Sequence, residues 1–229
     1  MIAGSETADR LFELSLKQSA RIADQIVVVD SSLDGTGDVA RAAGAEVYYH
    51  QWLGDFAFQR NISLGYCKCD WCLQIDTDEL IDDAFIDDWP KFLDGSMGYR
   101  LPTYNFVRDT GEPIMIRKAI GSVEPWYPDY HIRLFANNPY CWYRGGLHEG
   151  VIINGPVTEV PYHIYHYGWA REMSILERRM KVRNEQEKAI GRPGQHTVAE
   201  PLSDREEFDG KHPKLFDEKY LKLQEAKDA

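Results

Sequence analysis

Gln25-Ile26-Val27-Val28-Val29-Asp30 sets four β-branched residues side by side with no polar residue between them. Successive side chains of a strand point to opposite faces, so a strand with one wet face alternates apolar and polar residues. A run without alternation is a strand covered on both faces, as in a parallel sheet with helices on either side. The flanking sequence agrees. Ala8, Leu11, Phe12, Leu16 and Ala20 recur at helical spacing and predict a helix over 7–23. Ser31 to Gly37 is turn chemistry, Asp38 to Ala43 is a short helix stopped by Gly44, and Ala45 to His50 is the next strand. Asp55 is placed as the N-cap of a helix from Phe56 to about Tyr66. Trp71 to Ile75 reads as a strand, and Asp82 to Phe92 as a helix with acids near its start. Strand and helix thus alternate through residues 1–95, the pattern of a parallel sheet.

The pattern then changes. Tyr99–Val107 and Ile114–Lys118 flank Asp109-Thr110-Gly111-Glu112-Pro113 and predict a hairpin. His131–Phe135, Gly150–Asn154 and Val160–Tyr165 read as short strands. Ala170 to about Ala189 reads as a charged helix. Residues 191–229 divide into a linker and a charged tail, expected to be helical after Lys211. The expected organisation is one domain over 1–190, in halves 1–95 and 96–190, followed by that extension.

The 229 residues carry 26 basic and 37 acidic side chains, a net charge of −11. That balance argues against non-specific nucleic-acid binding, which needs basic surface to neutralise phosphates. No apolar run approaches the roughly 20 residues that span a bilayer, and the start lacks a basic segment followed by an apolar one. These features predict a cytoplasmic protein, with room for peripheral contact with a membrane. Cys67, Cys69 and Cys72 form a tight cluster, with Cys141 far away in sequence. A zinc site usually takes two separated pairs, so the cysteines are expected to be reduced structural thiols.

Chemistry concentrates where the strand at Trp71 ends, in Asp76-Thr77-Asp78-Glu79. Carboxylates two apart on an extended chain face opposite ways. Where the strand breaks into a turn, both can converge on one hard divalent cation. Asp30, followed by Asp34-Gly35-Thr36, and Gly54-Asp55-Phe56 with Arg60-Asn61 follow strands of the same direction, so all three segments open on one sheet edge. Acids there can meet a base, a ribose or a cation, and an arginine can meet phosphate. In the second half, Asp129, Arg133, His148, Glu149, His163 and His166 are candidates. His148-Glu149 follows Gly145-Gly146, which permits close backbone approach to a ligand. Glu149 is the first choice for a general base and Asp129 the second.

The order IVVVD-SSLDGT, W-LGDFAFQRN-SL and DWCLQIDTDE resembles family-2 glycosyltransferases of the GT-A fold. YPDYHIRLF, RGGLHE and HYGW followed by KVRNEQE extend the likeness, which is closest to lipopolysaccharide-core glucosyltransferases and peptide S-glycosyltransferases of bacteria. The resemblance implies an α/β, GT-A-like fold: a mostly parallel central sheet flanked by helices, with a C-terminal helical extension. It implies that Asp30 contacts the nucleotide and that Arg60 lies near its floor. Asp34 belongs to the same nucleotide-binding turn. Asp76 approaches ribose or metal, Asp78 ligates Mg²⁺ or Mn²⁺, and either His148 or His166 completes the metal shell. Two departures stand out: Met1-Ile2-Ala3 supplies only the end of the expected first strand, and the turn after Asp30 is one residue short.

The expected activity is transfer of a sugar, with inversion, from a nucleoside-diphosphate donor to a hydroxyl or thiol of a glycan, lipid-linked or peptide acceptor. The alternative is a nucleotide-sugar-binding protein without turnover. A phosphatase of the Asp-x-Asp-x-Thr type fits poorly, because Leu80 stands where that motif wants Thr or Val.

Overall fold

The computed structural model describes residues 1–4, 10–89, 91, 93–107, 115–117, 127–146, 149–170, 205–208 and 210–217, with some helical residues between 176 and 188. Its first part follows the predicted alternation. Strand β1 (Ile2–Ala3) leads to α1 (Arg10–Ser19), β2 (Val27–Asp30), α2 (Thr36–Ala42), β3 (Glu46–Tyr49), α3 (Phe56–Gly65) and β4 (Trp71–Leu73). β1, β2 and β3 form a parallel three-stranded sheet, and every residue of β2 is buried, as the unbroken β-branched run demands. Leu16, Phe12 and Ala40 share a core cluster with Val28. Asp55 caps α3 by accepting from the Phe58 N–H at 2.9 Å.

After β4 the chain departs from a simple alternation. β5 (Glu79–Ile81) is a strand the sequence did not announce, followed by α4 (Asp83–Asp88), whose cap Asp82 accepts from the Ala84 N–H at 2.9 Å. The ten-residue β6 (Gly98–Val107) is the hub of an eight-stranded mixed sheet. It pairs antiparallel with β7 (Met115–Arg117), as the hairpin reading expected; the connecting residues 108–114 lie outside the described ones. It also pairs antiparallel with β8 (Asp129–Ala136), and β8 in turn takes β4. β9 (Trp142–Arg144) and β10 (Gly150–Ile152) make a separate hairpin.

β11 (Val157–Glu159) and β12 (Ile164–Trp169) both run parallel to β6. The strand expected over 160–165 is therefore displaced. Pro161 has no N–H to donate, so the ladder stops and resumes at Ile164. β12 also pairs antiparallel with β5, setting His166 opposite Glu79. Parallel pairing thus holds throughout the first sheet, while the second mixes both directions.

The described residues of 176–188 are helical, and Leu176 and Met180 are buried, in line with the expected helix. The extension differs. β13 (Arg205–Glu207) adds to the edge of β7, and 210–217 is turn and coil; the rest of the expected linker and helical tail, 191–204 and 218–229, lies outside the described residues. Aromatic packing explains the coil. Phe208 lies 5.0 Å from Tyr104 and from Phe106, and Phe216 stacks on Tyr167 at 4.2 Å. These rings lie on the face of β6 and β12 opposite Asn105 and His166, because neighbouring residues of a strand alternate. The two sheets part between β1 and β4, leaving a cavity of about 560 Å³ bordered by Met1, Val27, Cys67, Trp71 and Leu73.

Candidate functional site

The acidic turn between β4 and β5 is tied down on every side. Gln74 N–H donates to the Arg133 carbonyl at 2.7 Å, and the Ser15 hydroxyl of α1 reaches the Asp76 carbonyl at 3.3 Å. Glu79 turns back so that Oε2 accepts from the Asp76 N–H at 2.9 Å. Arg133 grips the same carboxylate with both terminal nitrogens, at 3.0 and 2.6 Å, and both side chains are buried. A buried, bidentate arginine–carboxylate pair fixes direction as well as distance. Glu79 therefore shapes the turn rather than capping the next helix, a task Asp82 performs.

Two groups of side chains project from this frame. The first centres on Arg60 of α3, buried to 8% exposure. Nη1 stands 2.8 Å from Asp76 Oδ1, Nη2 donates to Asp76 Oδ2 at 3.1 Å, and Nε pairs with Glu149 Oε1. Burial would raise the Asp76 carboxyl, but the charges of Arg60 and Arg133 outweigh it and hold its pKa at about 2. The Glu149 segment is brought here by the loop after β9: Phe56 N–H, at the start of α3, donates to the Gly146 carbonyl at 3.0 Å. Asn61 exchanges two hydrogen bonds with the Tyr143 backbone, at 2.9 and 2.7 Å, pinning α3 against β9.

The second group joins Asp78 to the acceptor-side candidates. His166 Nε2 lies 3.6 Å from Asp78 Oδ1, and its Nδ1 is 2.7 Å from Asn105 Oδ1. Asn105 Nδ2 donates to Asp129 Oδ2 at 3.2 Å, and His131 Nε2 stands 2.9 Å from Asp129 Oδ1. Burial would lower the His166 pKa; the negative charge of Asp78 nearby reverses that and raises it. Burial would raise Asp129, but the contact with His131 brings it below its ordinary value.

Asp30 and Asp34 form a third cluster of their own. Asp30 Oδ1 accepts from Ser32 N–H and hydroxyl at 2.8 and 2.7 Å. Asp34 Oδ1 accepts from Ser32, and from the Thr36 hydroxyl and N–H at the start of α2. Both acids therefore shape the turn after β2. A Cβ on Gly37 would stand 2.9 Å from Asp30 Oδ2 and 3.3 Å from Val47 Cγ1, so a larger residue there would displace the Asp30 carboxylate. His148 lies outside the described residues. His163 stacks on Tyr104 at 4.3 Å, in the aromatic layer.

Among the described residues no group of three His, Cys, Asp or Glu side chains forms a ready cage for a metal. The donor chemistry nevertheless fits a magnesium-like ion. Such ions are held by one or two carboxylates, with waters and substrate phosphates filling the remaining positions. Asp78 and His166 supply a carboxylate and an imidazole within reach of one ion, whereas Asp76 is turned to Arg60.

No family model matches the sequence. Individual relatives do. LpsC, a lipopolysaccharide core biosynthesis glycosyltransferase of Rhizobium meliloti, is 26% identical over 204 residues, which are 84% of this chain and 66% of LpsC. An uncharacterized glycosyltransferase of Rickettsia conorii is 25% identical over 185 residues, 76% of this chain and 63% of its own. One from Rickettsia bellii is 41% identical over 68 residues, 29% of this chain and 23% of its own. The relatives are glycosyltransferases. The chain spans 23% to 66% of their length in these alignments. Among solved structures, Staphylococcus aureus TarS 1–349 matches at 15% identity and a TM-score of 0.47, over 81% of this chain and 64% of its own. The same fragment in complex with UDP-GlcNAc matches at 14% and 0.44, over 82% and 65%.

Sequence reasoning did not single out Asn105 or Gln18. Gln18, buried on α1, bonds both the N–H and the carbonyl of Ile81, at 2.6 and 2.7 Å. A polar residue at a position facing the core is the signal that could have found both. No described helix is long and apolar enough to cross a membrane.

Proposed function

We propose that the chain is a GT-A-like, metal-dependent glycosyltransferase that moves a sugar from a nucleoside-diphosphate donor to an acceptor hydroxyl or thiol, with inversion. The observation that carries this reading is Arg60, which joins Asp76 of the acidic turn to Glu149 of the second half in one buried cluster. The relationship to glycosyltransferases supports the reaction class.

In this reading Asp30 and the turn containing Asp34 meet the base and ribose, and Arg60 faces the diphosphate. Asp78 and His166 hold Mg²⁺ or Mn²⁺. Asp76 orients Arg60, and His148 remains a candidate for the metal shell. When bound, the cation neutralises charge that develops on the departing diphosphate. Glu149 Oε1 is engaged by Arg60, which leaves Oε2 to accept the acceptor's proton as the nucleophile attacks the anomeric carbon. Asp129 is the second candidate for that role. Glycan, lipid-linked and peptide acceptors all supply suitable nucleophiles, and a soluble cytoplasmic enzyme with peripheral membrane contact would reach each.

The Arg60–Glu149 pair also suits the rival reading, a protein that binds nucleotide sugar without turnover, because a carboxylate in an ion pair is a weaker base. Thermal-shift titration with nucleoside diphosphates and their sugars, with and without Mn²⁺, tests the shared part of both readings. Stabilisation that needs the diphosphate and Mn²⁺ together is expected. No stabilisation by any nucleotide would defeat both.

A further inference from the structure

Asn105 is 5% exposed on β6 and stands opposite His166 of β12 in the parallel register. Its amide reaches one residue from each side of the site, His166 through Oδ1 and Asp129 through Nδ2. The two ends are not interchangeable: the oxygen accepts and the nitrogen donates. A carboxylate at neutral pH only accepts, so Asp129 requires the nitrogen. The oxygen must then face His166, and an oxygen at 2.7 Å from Nδ1 requires a proton on that nitrogen. A neutral imidazole carries one proton; Asn105 Oδ1 lies at hydrogen-bond distance from Nδ1, 2.7 Å, whereas Asp78 Oδ1 is 3.6 Å from Nε2, so that proton sits on Nδ1 and the lone pair on Nε2. Nε2 is the atom nearest Asp78, at 3.6 Å from Oδ1.

We propose that Asn105 is a positioning residue that fixes His166 as the Nδ1–H tautomer and aims its Nε2 lone pair at the space beside Asp78, with Asp129 as the anchor that keeps the amide from flipping. The purpose of this arrangement rests on the metal reading above. Its geometry does not. The backbone reinforces it: β6 pairs with β12 at Asn105–His166 and with β8 at Thr103–Asp129, so all three side chains are set by one continuous ladder. A hydrogen bond to the distal nitrogen of a ligating histidine fixes its tautomer and ring orientation, and losing such a partner costs about 10–100-fold in metal affinity.

Nitrogen-15 NMR of histidine-labelled, metal-free protein tests this, at a pH where the ring is neutral and with His166 assigned by its loss in His166→Asn. The expected parent spectrum shows His166 with a protonated Nδ1 and a bare Nε2. Asn105→Leu fills similar space without an acceptor and should shift the ring toward Nε2–H, with Mn²⁺ affinity by electron paramagnetic resonance falling about 10–100-fold. Asn105→Asp keeps an acceptor and should keep the Nδ1–H form. A parent ring protonated on Nε2 overturns the proposal, whether or not the leucine variant folds. So does a parent-like tautomer in Asn105→Leu, or an equal shift in both variants. A parent that binds no Mn²⁺ overturns the metal reading instead; the tautomer alone decides this one.

Discussion

Arg60 holds Asp76 and Glu149 together, which makes the choice of base a question about single atoms. Glu149→Gln keeps the shape and loses the proton acceptor. Turnover should fall about 10²–10⁴-fold, while donor affinity stays near that of the parent, because a base acts mainly in the transition state. Asp129→Asn should cost less. Measuring donor affinity and kcat on both variants decides; loss confined to Asp129→Asn would move the role there. The thiols offer a second residue-scale test. A hydrogen bond from Cys72 outweighs burial and brings the Cys67 pKa down to about 7, and Cys67 borders the cavity beside β4. Iodoacetamide should therefore modify Cys67 fastest of the four cysteines, with a rate that rises through about pH 7. Slower labelling of Cys67 than of Cys69 would contradict this. Of the site residues, Arg60, Asp76 and Asp78 were legible because charge at a strand or helix start is conspicuous. Asn105 was not, since a single amide within a strand carries no spacing signal.

At the scale of elements, the Arg133–Glu79 pair welds β8 to β5 beneath the acidic turn. Breaking a buried pair by removing one partner leaves an uncompensated charge and costs about 3–5 kcal/mol. Arg133→Met should show that loss in urea unfolding, whereas Arg133→Met combined with Glu79→Gln should recover part of it. Additive losses would show that the two side chains do not act as a unit. The sequence foretold α1 to α3 and β2 to β4 because each is defined by its own periodicity or cap. β5, β9 and β11 were silent: at three residues each, they are strands only because distant partners bond them. Of the tail after Lys211 only residues up to 217 are described, and these are not helical. Its charges read as a helix surface, while Phe208, His212 and Phe216 are drawn onto the aromatic layer of β6 and β12.

For the whole molecule, the buried acids predict how stability responds to acid. Asp76 has a folded pKa of about 2 against an ordinary 3.8, so its contribution is complete above about pH 4 and is lost as pH falls toward 2. Asp129, also lowered, acts in the same direction. The urea midpoint of metal-free protein should decline between about pH 4 and 2, and more steeply than in Arg60→Met, where Asp76 loses its main partner; equal slopes would contradict the assignment. The alternating first half was legible as a whole because parallel units are built from neighbours in sequence. The mixed sheet was not, because β6 gathers partners from residues 115–169, and it is this sheet that brings His166 to the acidic turn and Asp129 to Asn105. The most direct test of the account is nucleoside diphosphate release from a panel of nucleotide sugars, comparing the parent with Asp78→Asn in Mn²⁺ and in chelator. Release by the parent that requires the cation, and falls by orders of magnitude in a folded Asp78→Asn, is the predicted result. Equal release by both proteins in chelator would contradict it.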